Sequence, residues 1–293
     1  MLNVFIRIQL DALRLCRFPN PPAGAPASKP QMKRIMKLDG AKFFVYAVAL
    51  ASLAACGGGG GGGGSFPQSG GNGAGTSIQV TGTGAKGAAL AGATVALTCA
   101  NVATLAATTN GNGAYTTNQA ALTYPCIGTA KSGAISYRGI LFSGSVVNFT
   151  PLTDTMTEVV LAASVSGNGS LSVEQFISKI AADATFANNV SSASAVATYR
   201  AAALDVVKAQ LVASGKSDAD AEAILSAARS QNFDSATFAI GSDLDKVLDN
   251  TASVMQEADG SVKAAVLAAA KAKGDALPVP GSGATGGTGA TGG

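Results

Sequence analysis

Histidine and tryptophan are absent from this chain, and aromatic residues of any kind make up only 5% of it. Without an imidazole the chain cannot perform serine–histidine–aspartate or cysteine–histidine catalysis, and most zinc enzymes are excluded as well. None of the glycine runs ends in the Gly-Lys-Ser/Thr element of a phosphate-binding loop. We therefore expect no catalytic residues, no metal site and no cofactor, and we interpret the chain as a non-enzyme.

Charged residues are also scarce, at 13% of the chain, and they are unevenly placed. Of the 20 basic and 17 acidic residues, residues 1–55 hold eight bases and two acids, so residues 56–293 have 12 bases and 15 acids. The net charge of that remainder is about −3. Proteins that bind nucleic acid present a basic face to the phosphates. We expect no nucleic-acid partner for this chain.

One long apolar run stands out, at residues 43–55, which read FFVYAVALASLAA. Its length suits the core of a signal peptide and falls short of the ~20 residues that a membrane-spanning helix needs. Basic residues precede the run, and positive charge there holds the start of the segment on the cytoplasmic side. They are Lys33, Arg34, Lys37 and Lys42. Residues 32–55 are therefore predicted to be a signal peptide.

The apolar run ends in Leu53-Ala54-Ala55-Cys56, which resembles the lipobox of bacterial lipoproteins. The resemblance implies cleavage between Ala55 and Cys56, a diacylglyceryl group on the cysteine sulfur, and an acyl chain on the new amino group. Three acyl chains anchor a protein far more firmly than one. Gly57 resembles the outer-membrane class, whereas Asp at that position often marks retention at the inner membrane. We expect a lipid-anchored protein on the periplasmic or cell-surface face of the outer membrane.

Three segments of the chain are predicted to lie outside any folded body. Residues 1–31 are interpreted as a spurious or extended leader, because Met32 is the more natural start of a signal peptide. Residues 56–75 begin with Cys56 and eight glycines, which predicts a flexible tether with a reach of about 25 Å. The glycine-rich residues 278–293 predict a disordered tail, since they cannot bury enough apolar surface to fold.

Two cysteines follow the lipobox, Cys99 and Cys126. The compartments beyond the inner membrane are oxidising, so we predict that these two form a disulfide. The closed loop of 28 residues would stabilise the fold by about 3.5 kcal/mol. A metal site is the alternative, but two cysteines without histidine leave it short of ligands.

Residues 76–150 are rich in Thr, Val, Ala and Gly and carry turn signals every eight to twelve residues, which predicts a small antiparallel β-sandwich. In ATVALTC, Val95, Leu97 and Cys99 share one face, which we expect to point inward. The NGNG sequence at 110–113 predicts a hairpin. Seven strands are predicted, at 77–83, 93–99, 103–109, 113–117, 126–131, 135–142 and 146–150.

This segment resembles the carboxypeptidase regulatory-like domain. The resemblance is carried by VTGTGAKGAALAGATVALTC at 80–99 and by Thr108-Thr109 ahead of Asn112-Gly113-Ala114-Tyr115. It implies a seven-stranded, transthyretin-like sandwich with a structural or binding role, and it supplies no catalytic residues. The added cysteine pair resembles a disulfide variant found in bacterial lipoproteins.

Residues 151–277 change to a helical period and predict a small alanine-rich bundle. Pro151 ends the β region and permits a helix to start beyond Thr150. Ser217 and Ser242 are predicted N-caps, and Gly215 is a predicted C-terminal cap. The helical patterns cover 171–189, 191–215, 217–231, 242–260 and 261–273.

Asp243, Asp245 and Asp249 raise the question of a calcium site. An EF-hand loop needs oxygen ligands at alternating positions, a central glycine and a final glutamate, and that pattern is not met here. We interpret these aspartates as helix-start residues.

The fold class predicted from the sequence is α+β, with a seven-stranded sandwich (76–150) followed by a small helical bundle (151–277). The predicted function is that of an outer-membrane-anchored lipoprotein that acts as a non-enzymatic binding or structural module, with an envelope protein or a polysaccharide as partner. Two alternatives make distinct structural demands. A carbohydrate-binding module needs a row of exposed aromatics on the sandwich, and a carboxylate-based hydrolase needs an acid buried in a cleft.

Overall fold

The structure is a computed structural model that describes residues 77–281. The predicted leader, signal peptide, lipidation site at Cys56 and tether lie outside the described residues, as does most of the predicted tail.

Six strands form two antiparallel sheets within residues 77–281. β1 pairs with β4, and the second sheet has the order β3-β2-β5-β6. Val95, Leu97 and Cys99 are all buried, which confirms the predicted inward face of β2. The strands are β1 (Ser77–Thr83), β2 (Thr94–Cys99), β3 (Thr104–Thr108), β4 (Ala114–Ala121), β5 (Cys126–Ser132) and β6 (Ile135–Leu141).

The predicted seventh strand, at 146–150, is not a strand in the structure, so the expectation of a seven-stranded sandwich is corrected to six. The segment runs parallel to β1, with isolated bridges at Val146 and Phe149 and with backbone hydrogen bonds to Thr81 and Thr83, but without a continuous ladder. A side chain interrupts the ladder, because the Thr83 backbone N–H donates to Asn148 Oδ1 instead of to a carbonyl. The Val147 carbonyl, which a regular ladder would use, accepts from the Tyr115 hydroxyl at 2.6 Å.

The NGNG segment is a turn, but the predicted hairpin is wrong. Gly113 has a positive φ of 78°, as a tight turn requires, and its N–H donates to the Asn110 carbonyl. The flanking strands β3 and β4 belong to different sheets. The turn therefore carries the chain across the sandwich from one sheet to the other.

Within residues 77–281 seven helices follow the strands, so the α+β class is confirmed. Four of them begin after a serine whose hydroxyl accepts a hydrogen bond from the first turn, including the predicted caps Ser217 and Ser242. The pattern at 171–189 is divided in two by Asp183, which ends α2 and caps α3. The helices are α1 (Pro151–Ala163), α2 (Val173–Ala182), α3 (Ala184–Val190), α4 (Ala193–Ala213), α5 (Asp218–Ser230), α6 (Asp243–Met255) and α7 (Ala264–Asp275).

Helix α1 is the central element, and the sequence patterns did not predict its extent. Twelve of its 13 residues are buried, and it packs against β6, α4 and α7. Its buried threonines are satisfied internally, since the Thr155 and Thr157 hydroxyls donate to carbonyls four residues earlier. A helix buried on every side has no polar face, which hides the helical period.

The sandwich and the helices share a core. Ile127 and Ile140 of the larger sheet belong to the same apolar cluster as residues of α1, α4 and α7. A second cluster fills the interior of the sandwich around Tyr137 and Phe149. Among the helices of residues 77–281, none has both the length and the apolar character that crossing a bilayer requires.

Candidate functional site

Cys99 and Cys126 are joined by a disulfide between β2 and β5. The two residues are direct partners in the antiparallel register and are fully buried. The bond therefore links neighbouring strands of the larger sheet inside the sandwich. Ala55 and Cys56, the predicted cleavage and lipidation residues, lie outside the described part of the chain.

The three aspartates considered for calcium do not form a metal-binding group, and the prediction of a helix-start position is wrong for Asp249, which lies in the middle of α6. Asp243 and Asp245 lie in the first turn of α6, as predicted for helix-start residues. Asp243 pairs with Lys246 at 2.9 Å, and Asp245 accepts from the Gly241 N–H at 2.7 Å. Within residues 77–281 no group of three or more acidic or cysteine side chains is placed to hold a metal ion.

A buried ion pair joins β6 to α1. Arg138 Nε lies 2.5 Å from Asp154 Oδ1, and its Nη1 lies 2.9 Å from Glu158 Oε2. Glu158 also accepts from the Ser170 hydroxyl. Burial raises the pKa of the Asp154 carboxyl, although the adjacent Arg138 guanidinium acts to lower it. Both carboxylates contact a fixed cation, so the arrangement serves to hold α1 against the sheet.

A second buried ion pair joins α4 to the loop between α5 and α6. Arg200 donates to Asp234 through two nitrogens, from Nε to Oδ1 at 2.5 Å and from Nη2 to Oδ2 at 3.0 Å. The Asp234 side chain is 5% exposed and that of Arg200 is 22% exposed. This is the side-on, two-point geometry that makes arginine–carboxylate pairs rigid.

The loop that carries Asp234 is fixed to the sandwich by one asparagine. Asn148 Nδ2 donates to the carbonyls of Phe233 and Ala236, and the Asn148 backbone N–H donates to the Asp234 carbonyl. Phe233 inserts into the helical core at 2% exposure. The position of Asp234, and with it the orientation of Arg200, is therefore set by the sandwich as well as by the helices.

A cavity of about 260 Å³ opens beside this pair, where the end of β6 meets the start of α4. We call it the Arg200 pocket. Its apolar wall consists of Ile140, Leu141, Phe142, Val146, Ala193 and Val196. Its polar wall consists of Ser143, Ser191, Arg200, Asn232, Asp234 and Ser235.

Two features of the pocket walls bear on binding. Phe142 stacks on Tyr199 with ring centroids 6.3 Å apart, which holds the apolar wall in place. The Ser191 hydroxyl oxygen is buried and has no hydrogen-bond partner among the described residues. A buried hydroxyl without a partner is costly, but an oxygen with almost no accessible surface is not open to a ligand in the cavity.

Four other cavities within residues 77–281 are more open, and the ion pairs that line two of them, Asp243–Lys246 and Lys208–Asp218, are more exposed to solvent. Two of them are open grooves, beside the segment 277–281 and between α5 and α6. The Arg200 pocket is the more enclosed site, and it places a rigidly held cation next to apolar surface. Such a combination is typical of small-molecule binding sites.

The aromatic side chains of the sandwich are core residues. Tyr115, Tyr137, Phe142 and Phe149 are all buried, and Tyr124 is partly buried. No row of exposed aromatics is present on the strands of residues 77–281. A carbohydrate-binding module would need such a row of exposed aromatics to stack against sugar rings.

The residues of the Arg200 pocket were not predicted from the sequence. Arg200 is one charge in the alanine-rich stretch VATYRAAA, on a helix turn flanked by the buried Val196 and Ala203. A lone arginine beside apolar positions is a signal for a buried pair. Its partner Asp234 is 34 residues away in an irregular loop, and no pattern connects the two.

Comparisons with known proteins returned nothing: no protein-family model matches this chain, and neither does any curated protein or solved structure. Any function assigned to the chain therefore depends on its own residues and their geometry.

Proposed function

We propose that this chain is an outer-membrane lipoprotein that acts as a non-enzymatic binding module of the bacterial envelope. The observation that carries the binding role is the Arg200 pocket, in which an arginine fixed by Asp234 borders a partly enclosed, mainly polar cavity with apolar residues in one wall. The carboxypeptidase regulatory-like character of the sandwich is part of the same proposal. Six strands in two antiparallel sheets support a sandwich of that kind.

The anchor rests on the sequence around Cys56. The basic segment, the apolar run and Leu53-Ala54-Ala55-Cys56 occur in the order that lipoprotein processing needs. Eight glycines then separate the lipid from the body. In this arrangement the pocket is held near the membrane without a fixed orientation.

A hydrolase built on carboxylates is the weaker hypothesis. Asp154 is bound by Arg138 and Asp234 by Arg200, each within 2.5 Å. A general acid and base pair needs one carboxyl free to exchange its proton with substrate. The buried carboxylates of both pairs contact guanidinium groups instead, which favours binding over catalysis.

The anchor is tested by expressing the full chain in a Gram-negative bacterium with a clickable palmitate analogue. We expect the wild type to incorporate the label and to sediment with outer membranes, and Cys56→Ala to do neither. Cys16→Ala is the matched control, because Cys16 precedes the predicted cleavage site. Label that persists in Cys56→Ala would overturn the anchor.

The binding role is tested separately with the detergent-solubilised full chain presented to envelope extract, peptidoglycan and a glycan panel. We expect saturable capture of one component. A Cys99→Ser/Cys126→Ser chain, which lacks the buried disulfide, should capture less if the folded body is responsible. Failure of the wild type to capture any component would leave a spacer role as the better account.

A further inference from the structure

The Arg200 guanidinium has hydrogen-bonding capacity that Asp234 does not use. A guanidinium has five N–H donors, and the pair with Asp234 takes one on Nε and one on Nη2. The second Nη2 hydrogen reaches the Ser235 hydroxyl only at 3.5 Å, and Nη1 has no partner among residues 77–281. The end-on Nη1–Nη2 edge is therefore available to a ligand.

The volume and the lining residues of the pocket indicate the size and chemical character of that ligand. The pocket volume of about 260 Å³ is below the range for drug-sized molecules, so the occupant is small. Ile140, Phe142 and Val196 offer an apolar surface, which suits a short hydrocarbon group.

We propose that the Arg200 pocket binds a small organic carboxylate, with the carboxylate on the Nη1–Nη2 edge of Arg200 and a short apolar group against Phe142 and Val196. This deepens the proposed binding role and rests on it. A carboxylate matches the planar edge of arginine with two parallel hydrogen bonds. Ala193, the first residue of α4, also lines the pocket and brings the positive end of the helix dipole to the same side.

A phosphate is a poorer fit than a carboxylate. The charge of Arg200 is already balanced by Asp234, which is the acidic side chain lining the pocket. A dianionic phosphate would add two further negative charges next to that buried carboxylate, and no lysine or second arginine lines the cavity. A monoanion with an apolar tail adds less charge and uses the hydrophobic wall.

The test is an NMR titration of the ¹⁵N-labelled, detergent-solubilised full chain with 3-methylbutanoate. The Arg200 Nε–H signal is followed, and it is identified by its loss in Arg200→Lys. 3-Methylbutanamide has the same shape without the charge, and we expect it to bind about tenfold more weakly. Inorganic phosphate is the third arm and should bind more weakly than the carboxylate.

Substitutions inside and outside the pocket distinguish binding in the pocket from binding elsewhere on the protein surface. Arg200→Lys keeps a cation but loses the planar edge, and we expect it to lower affinity for 3-methylbutanoate by about tenfold. Val196→Ala removes part of the apolar wall and should lower affinity about threefold. Lys208→Gln, a partly exposed cation on the same helix, should leave affinity unchanged.

Equal binding of the acid and the amide, or no binding of either, would overturn the carboxylate assignment. So would binding that survives both pocket substitutions, because it would place the ligand elsewhere. If Arg200→Lys fails to fold, Val196→Ala and the comparison of acid with amide on the wild type still decide the question. The titration does not depend on lipidation, so its failure is distinct from failure of the anchor.

Discussion

Asn148 Nδ2 donates a hydrogen bond of 3.0 Å to the backbone carbonyl of Phe233, a residue 85 positions later in the chain. The same amide donates to Ala236, and its oxygen accepts from the Thr83 N–H at 3.0 Å. One side chain thus satisfies three backbone groups on two separate segments. The Asn148 side chain prevents residues 146–150 from forming a regular seventh strand, and it fixes the loop that carries Asp234.

Asn148→Ala is expected to destabilise the fold by about 3 kcal/mol, because three backbone groups lose their partner in a buried or partly buried setting. Urea unfolding of the oxidised full chain measures the change. Asn101→Ala is the control, since Asn101 also bridges two backbone groups but is exposed. Its cost should stay below about 1 kcal/mol. Equal costs for the two variants would contradict the role assigned to Asn148.

Replacing Val102 with glycine is expected to stabilise the fold. Val102 has a φ of +56° in the turn after Cys99, and its side chain is 65% exposed. A β-branched residue is strained in the left-handed region, whereas glycine adopts it freely. Val102→Gly should therefore raise the free energy of unfolding by about 1 kcal/mol.

The matched control for this prediction is Val212→Gly. Val212 is also partly exposed but lies within helix α4, where glycine costs helix stability. The two identical substitutions should shift the thermal midpoint in opposite directions. A lower midpoint for Val102→Gly would show that its side chain contributes more than its backbone conformation costs.

Gly274 is expected to be required in α7 despite the low helix propensity of glycine. A Cβ at this position would lie 2.3 Å from the Val159 carbonyl oxygen and 2.7 Å from Ala162 Cβ on α1. Helix propensity alone favours Gly274→Ala by about 1 kcal/mol, but overpacking against a backbone costs about 1–3 kcal/mol. Calorimetry should show net destabilisation, with Lys273→Ala on the exposed side of α7 close to the wild type. Stabilisation by Gly274→Ala would mean that α1 and α7 separate without cost.

Stability is expected to fall at alkaline pH because of buried tyrosines. Burial raises the pKa of Tyr199 to about 12 and raises the pKa of Tyr115 and Tyr137 as well. The folded state therefore favours the neutral phenol, so this stabilisation is complete below the unfolded pKa of about 10 and is lost as pH rises through the folded pKa.

Unfolding free energies measured between pH 9 and pH 12 check this dependence. Each tyrosine adds a slope of up to about 1.4 kcal/mol per pH unit, and Tyr199→Phe should remove one such contribution. Tyr124→Phe is the comparison, since Tyr124 is only partly buried. An unchanged slope in Tyr199→Phe would mean that this phenol ionises without cost in the folded chain.

Local chemistry allowed much of the secondary structure to be predicted. Strand patterns of period two placed β1 to β6, and the serines before α5 and α6 cap those helices as expected. These features depend on neighbours within about one turn or one strand, so the sequence encodes them directly. The disulfide partners were predicted because only two cysteines follow the lipobox.

The features that depend on distant partners were not predicted. Helix α1 is rich in threonine and valine and buried on all sides, so its sequence lacks an amphipathic period. The seventh strand pattern at 146–150 was overridden by one asparagine that bonds to a loop far along the chain. In both cases tertiary contacts outweigh the local preference.

The sequence by itself determined that strands come first and helices follow, which two cysteines pair, and the expectation of a lipid anchor, because each of these is encoded in short, continuous segments. Only the tertiary structure decided that Arg200 and Asp234 meet and that a cavity forms beside them. That pairing brings together α4 and a loop 34 residues later, and the sandwich fixes the loop through Asn148. A buried charge needs a partner, but only packing determines which one it finds.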